Sequence, residues 1–388
     1  MNLAAIQAAL RDRNIDAWLF YDHHHRDAIA YRVLGLPDSL FVTRRWYYVI
    51  PAQGEPQKLV HRIEAGHLDT LPGLKREYAA WQELFDNLGS MLKPYRTIAM
   101  QYSPNNVVFY VSLTDAGTVE FVRSLGKEIV SSGDLVARFE ATLTDDQIRT
   151  HYGAKDKIDA IVAAAFKEIG DRVRHGGTHE YEIQKWFLEQ FHREGLVTDD
   201  GPIVAVNANS GNPHYGPDVA HSAAIKEGDW VLLDVWAKLD KPRSIYYDIT
   251  WTGFVGPNPS EQHVEIFNVV TAARDAGAEK VRSTIAAGKK LAGWEVDQAT
   301  RDSIEKAGYG SYFIHRTGHS IGTEVHANGA NMDNLEIHDE RQVLANSCFS
   351  IEPGVYLPDF GVRSEVNMIV REQSAEVTGK IQKEIVLI

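Results

Sequence analysis

The chain of 388 residues holds one cysteine, Cys348, so no internal disulfide can form and nothing in it calls for an oxidising compartment. Long apolar runs are missing as well. Stretches such as residues 161–166 (IVAAAF) fall far short of the ~18 residues that a membrane helix needs, so no membrane span is expected. Positive charge is scarce: 40 Lys and Arg stand against 53 Asp and Glu, a net charge of −13. Such a surface repels phosphate backbones and argues against nucleic-acid binding as a main role. The first 18 residues are interrupted by Arg11, Asp12 and Arg13, which no signal-peptide core would carry, so the expected location is the cytoplasm. No repeat or low-complexity tract is visible. What remains is ordinary globular composition, 44% hydrophobic and 24% charged, in a chain long enough for two or three domains.

The first 142 residues read as a small α/β domain. Leu3, Ile6, Ala9 and Leu10 recur at helical spacing, while Ala17–Tyr21, Arg45–Ile50, Thr97–Met100 and Val107–Tyr110 are strand-like runs. Residues 143–388 read as a second, α+β domain. Thr144 with Gln147 forms a capping box opening a long helix to about Val173, and Thr178 is expected to cap a second helix stopped by Gly195. Glu180 and Glu182 fall in that helix's first turn, where the macrodipole favours anions. Strands follow at 203–206, 230–236 and 245–254, then helices at about 260–287 and 295–307, then strands at 311–314, 347–352 and 362–370.

Four acids interrupt apolar strands: Asp234 in VLLDVW, Asp248 in YYDIT, Glu352 in FSIEPG and Glu365 in VRSEV. Desolvating an unpaired carboxylate is costly, so each needs compensation. A separate Arg or Lys for each is one solution; a shared hard cation answers all four at once. His315, His319 and His326 lie within twelve residues around a glycine-punctuated turn and could supply an imidazole ligand. Carboxylates with one imidazole suit Mn²⁺, Fe²⁺ or Co²⁺, with Zn²⁺ possible. Two such ions about 3.5 Å apart would share a bridging hydroxide as nucleophile.

The strings LLDVW, YYDITWTG, HRTGHSIG, SIEPGVY and GVRSEV resemble, in order and context, the five metal-ligand motifs of the pita-bread metallopeptidases, in the branch of Xaa-Pro dipeptidase (prolidase), aminopeptidase P and creatinase. The resemblance is strong over roughly 144–388 and implies a pita-bread catalytic domain behind a prolidase-like N-terminal domain. It implies that Asp234 chelates one metal, His319 and Glu352 the other, and Asp248 and Glu365 both. His214 would contact substrate or relay protons, His315 and His326 would bind substrate and stabilise the tetrahedral intermediate, and Arg363 would fix the neighbouring carboxylates. Thr250 resembles a hydrogen-bond donor to a metal-bound carboxylate. The implied activity is hydrolysis of Xaa-Pro dipeptides by two divalent ions, most simply Mn²⁺, in a homodimer, with either Glu352 or Glu365 exchanging protons and the family pattern favouring Glu352. Aminopeptidase P action on longer Xaa-Pro peptides is the alternative, ahead of a creatinase-like amidinohydrolase or a non-catalytic binding protein.

Three features depart from the family pattern: extra residues at Lys238–Arg243 between the first two acids, Val235-Trp236 after Asp234, and Val366 after Glu365. His23, His24 and His25 are consecutive and cannot face one point, so a solvated loop is expected, with contact to a partner subunit's site as the family-based alternative. Arg44-Arg45 is read the same way. Cys348 reads as a small buried hydrophobe, and Gly211 as a turn residue beside His214.

Overall fold

The computed structural model describes residues 1–388, which divide into two compact units, Met1–Glu140 and Ala141–Ile388. In the first, helices α1 (Leu3–Asp12), α2 (Ala28–Leu34), α3 (Trp81–Leu92), α4 (Ala116–Ser124) and α5 (Gly133–Glu140) flank six strands. These are β1 (Ala17–Asp22), β2 (Trp46–Pro51), β3 (Gln57–His61), β4 (Leu74–Tyr78), β5 (Thr97–Met100) and β6 (Glu128–Ser131), in the order β4-β3-β2-β1-β5-β6. Alternate side chains explain why β1 and β2 are apolar throughout. Trp18, Phe20, Tyr48 and Ile50 face one core, and Leu19, Tyr47 and Val49 face a second core against α3.

The strand expected at Val107–Tyr110 does not form. Asn105 and Asn106 take positive φ after Pro104, and Phe109–Val111 is a single 3₁₀ turn with Phe109 and Val107 exposed. A run of β-branched and aromatic residues without a neighbouring strand has nothing to pair with.

The second unit begins with α6 (Asp145–Arg174), whose Thr144–Gln147 capping box has both bonds in place. Next come β7 (Thr178–His179), α7 (Glu180–Glu194), β8 (Leu196–Val197), β9 (Ile203–Val206), β10 (Ala224–Ile225), β11 (Trp230–Leu239) and β12 (Tyr247–Phe254). Helices α8 (Glu261–Ala286) and α9 (Gly293–Lys306) follow. Strands β13 (Ser320–Ile321), β14 (Cys348–Ile351), β15 (Gly354–Tyr356), β16 (Gly361–Arg363), β17 (Val366–Val370), β18 (Ala375–Thr378) and β19 (Val386–Leu387) complete it.

Three expectations need correction. The α7 cap is His179, because Thr178 is drawn into β7 with its hydroxyl on Glu182. Residues 311–314 hold no strand but the end of a 3₁₀ turn at Gly310–Tyr312. The run 362–370 is two strands, broken at Ser364-Glu365.

Two sheets frame this unit. One runs β19-β12-β11-β8 with β9 also on β11, and the other β13-β14-β17-β18. Val231, Leu233, Val235, Tyr247 and Ile249 point from the first sheet into a core with α6 and α7. Phe349, Ile351, Val366 and Met368 point from the second into a core with residues of α8 and α9. Period-2 alternation leaves Asp234, Asp248, Thr250, Ser350 and Asn367 on the opposite faces, turned away from those cores. Asn367 spans the interval, accepting from the Asp248 amide (2.9 Å) and donating to its carbonyl (2.6 Å).

Candidate metal centre

The antiparallel register of β11 and β12 sets Asp234 opposite Thr250 and Trp236 opposite Asp248, so both acids share one face of the hairpin. His319 and Glu352 are brought together by backbone pairing: Ser350 N donates to His319 O (2.9 Å) and Glu352 N to Thr317 O (2.7 Å). That close approach requires Gly318, where a Cβ would lie 2.0 Å from the Ser350 carbonyl oxygen. Glu365 sits in the break between β16 and β17, its amide on Thr250 O at 3.2 Å. Glu352 likewise follows the last residue of β14. The two glutamates are therefore at strand ends, and only the two aspartates are in strand interiors.

Asp248, His319 and Glu365 are buried, with ligand atoms all within 4.8 Å of one another. His319 Nε2 lies 3.3 Å from Glu352 Oε1 and 3.5 Å from Asp248 Oδ2. Asp234 joins through Thr250, whose hydroxyl is 3.1 Å from Asp234 Oδ1, 2.9 Å from Glu365 Oε2 and 3.0 Å from Arg363 Nε. Its one proton serves one carboxylate at a time while its lone pair accepts from the guanidinium. Arg363 also bonds Asp234 directly and donates to the Tyr356 hydroxyl (3.0 Å).

Charge and hydrogen bonding both point to a cation here. Burial, and then repulsion among the acids, holds the carboxyls of Asp248 and Glu365 well above the usual range. Burial raises Asp234 as well, against the pull of Arg363, whereas for Glu352 the attraction of His319, His315 and Arg363 outweighs burial and lowers it. Asp248 Oδ1 and Glu365 Oε1 are buried without any hydrogen-bond partner. Burial lowers the His319 pKa, and with Nδ1 toward Ser320 O (3.2 Å) its Nε2 faces an oxygen each of Glu352 and Asp248. In their ionised forms these groups set acceptor against acceptor, which is what an oxygen- and imidazole-rich divalent-metal site looks like from the protein side.

The other expected residues are arranged around this group. His326 is exposed, with its ring edge-on to His319 at 4.3 Å; repulsion from His319 is the main reason its pKa is pushed down to about 3. His214 is exposed on the loop after β9 and close enough to His326 to add to that repulsion. His315 differs from expectation. Its Nδ1 meets Arg316 O (2.6 Å) and its Nε2 the Tyr356 hydroxyl (2.7 Å), so neither ring nitrogen is free for a substrate in this geometry. Burial lowers its pKa to about 4. Arg363, Tyr356 and His315 thus form one directed chain of donors.

Tyr356 went unrecognised in the sequence. The alternation 352, 354, 356 within SIEPGVY was the available signal. His23, His24 and His25 form a turn with the last two at positive φ; the His25 ring stacks on Tyr31, and His23 lines a cavity of about 210 Å³ with Arg44, Arg45 and Trp81. Cys348 is buried.

Residues 156–372 match the model of metallopeptidase family M24. The chain belongs to that family. It is 32% identical over 295 residues to the Xaa-Pro dipeptidase of Lactobacillus helveticus, covering 74% of this chain and 71% of that protein. It is 30% identical over 263 residues to the Xaa-Pro dipeptidase of Pyrococcus furiosus, covering 67% and 69%. Among solved structures, the dipeptidase PepE of Mycobacterium ulcerans superposes with a TM-score of 0.74 at 23% identity, over 99% of this chain and 96% of that one. The fold is accordingly the pita-bread fold behind an α/β N-terminal domain, and this member of M24 is a metallopeptidase. No helix is long and apolar enough to cross a membrane.

Proposed function

We propose that the protein is an Xaa-Pro dipeptidase, with residues 143–388 as its catalytic domain. The observation that carries this reading is the pair of unpartnered carboxylate oxygens on Asp248 and Glu365 beside the buried imidazole of His319. In this proposal Asp234, Asp248, His319, Glu352 and Glu365 hold two divalent ions, with Mn²⁺ preferred and Co²⁺, Fe²⁺ or Zn²⁺ compatible with the same donors. Ions bound there supply Lewis-acid polarisation of the scissile carbonyl and make water nucleophilic near neutral pH.

The chain's own groups do the remainder. A prolyl amide nitrogen carries no hydrogen and must be protonated to leave. Glu352, ionised and oriented by the Ser350 hydroxyl at 2.9 Å, takes a proton from water at its carboxylate and returns it to that nitrogen. Arg363 fixes Asp234 and, through Tyr356, His315. His214 and His326, both exposed and near one another, hold the substrate's backbone. The substrate is a small peptide with proline second. A homodimer in the cytoplasm completes the reading.

The test is hydrolysis of Ala-Pro and Ala-Pro-Ala by the Mn²⁺-loaded protein. Cleavage of the dipeptide alone is the expected result. Release of Ala from the tripeptide would make the enzyme an aminopeptidase P, and no cleavage of either with metal bound would sink the peptidase reading.

A further inference from the structure

Glu180 is fully buried, yet no Arg, Lys or His pairs with it. As the first residue of α7 it has an ordinary explanation, an anion favoured by the helix dipole. Its hydrogen bonds contradict that account, because none goes to its own helix. Oε1 accepts from Val206 N (2.7 Å) and Asn209 Nδ2 (3.0 Å). Oε2 accepts from Asn209 Nδ2 (3.1 Å), the Tyr215 hydroxyl (2.6 Å) and Ala223 N (2.7 Å). The Tyr215 proton also reaches His221 O at 2.6 Å. These donors are the last residue of β9, Val206, and residues at the start, middle and end of the loop that follows it, 207–223; His214 is on that loop next to Tyr215.

Other anchors hold the loop's ends and its β16 side: Tyr181 N donates to Ser222 Oγ (2.9 Å), Glu180 N to Ala223 O (3.1 Å), and Asn207 Nδ2 to Asp229 Oδ1 (2.7 Å). Gly361 N donates to Ser210 Oγ (2.8 Å), and Arg363 Nη1 lies 3.5 Å from Pro213 O. Between these attachments the tip is open to solvent, with Val219 79% exposed. The Glu180 carboxylate is the one group bonded to the start, the middle and the end of this seventeen-residue loop, which carries His214. We infer that Glu180 is the positioning residue for His214, acting through the loop it gathers. The inference rests on the proposed peptidase reading for its kinetic consequence.

The experiment is a double-mutant cycle on the Mn²⁺-loaded protein with Ala-Pro, using Glu180→Gln, His214→Ala and both together. Glu180→Gln should lower kcat/KM about tenfold or more, since misplacing a site group by ~1 Å can cost up to about 10²-fold. The double variant should be no slower than His214→Ala alone. Losses that multiply, or a His214→Ala variant with wild-type kinetics, would overturn the inference. Cleavage of the folded variants by elastase after Val219 gives a second readout independent of turnover: at least tenfold faster in Glu180→Gln is expected, and an unchanged rate overturns the idea. If Glu180→Gln does not fold, Tyr215→Phe removes one of the same bonds and carries both arms. A wild type that cleaves no peptide would defeat the dipeptidase reading instead, and the elastase arm would still decide this one.

Discussion

Asp248 offers the sharpest test of the site. Its carboxyl is buried, lacks a partner at Oδ1, and is pushed well above the usual carboxylate range by burial and by the acids around it. On the proposed reading this residue is a burden in metal-free protein and a ligand in the loaded one. Replacing it with Asn should therefore move stability in opposite directions in the two states. Without metal, Asp248→Asn removes a buried acid whose ionised form burial and the neighbouring acids disfavour, a gain of about 1–3 kcal/mol on the scale of one buried polar group. With Mn²⁺ at about a hundred times its Kd, wild type should gain about 2.7 kcal/mol. For a domain of about 250 residues that is a rise in Tm of about 5–11 °C. Asp248→Asn should lose most of that rise. The assay is thermal unfolding of both proteins in EDTA and in Mn²⁺ at one pH. If the variant were less stable than wild type in EDTA, Asp248 would have a protein partner and the cation argument would fail. If both proteins showed the same Mn²⁺ shift, Asp248 would not be a ligand.

Other predictions follow from single contacts. Tyr356→Phe deletes the hydroxyl between His315 and Arg363 and should lower kcat/KM about tenfold with metal content unchanged, in line with one hydrogen bond in a charged network; less than a twofold change in steady-state kinetics would show the chain of donors to be idle. Gly318→Ala would drive a methyl to 2.0 Å from Ser350 O, and should cost more than the ~1–3 kcal/mol of ordinary overpacking while reducing bound metal, as chemical denaturation and metal analysis would show. His151 is buried between Tyr246 O and Thr378 Oγ1, and burial lowers its pKa to about 4. The unfolded chain protonates this ring below about 6.5 while the folded one resists until about 4, so its contribution is complete above pH 6.5 and declines between those values. The loss approaches about 3 kcal/mol. Denaturant melts of wild type and His151→Leu between pH 7 and 4 should show the shallower acid decline in the variant, and parallel curves would refute the assignment.

Much of the architecture was legible because several levels agreed. Thr144 and Gln147 gave a capping box where α6 begins, and Gly195 ended α7 in the left-handed conformation it alone adopts cheaply. Asp234 and Asp248 were visible because a carboxylate in a run such as VLLDVW violates the local pattern, and a violated pattern demands a cause. Expectation failed where a run had no such conflict. Val107–Tyr110 has strand-like residues, but strand formation depends on a neighbour that the sequence does not reveal, and the Asn105-Asn106 turn leaves it without one.

The same logic separates the site residues that sequence reading finds from those it misses. Asp248 has no comfortable local explanation, so it stands out. Glu180 has one: an acid in the first turn of a helix is unremarkable, and its neighbour Glu182 does behave that way, capping the His179 amide. Only the fold reveals that Glu180 turns from its helix to gather donors 26 to 43 residues further along the chain. Tyr356 is similar, a tyrosine in an apolar strand whose hydroxyl meets a histidine 41 residues before it. The two aspartates proposed as metal ligands break the rules of their own strands, because on that reading their compensation is an ion. Residues that position a ligand or a loop need break none, because their compensation is other protein, and they stay hidden until the distant partner is in place.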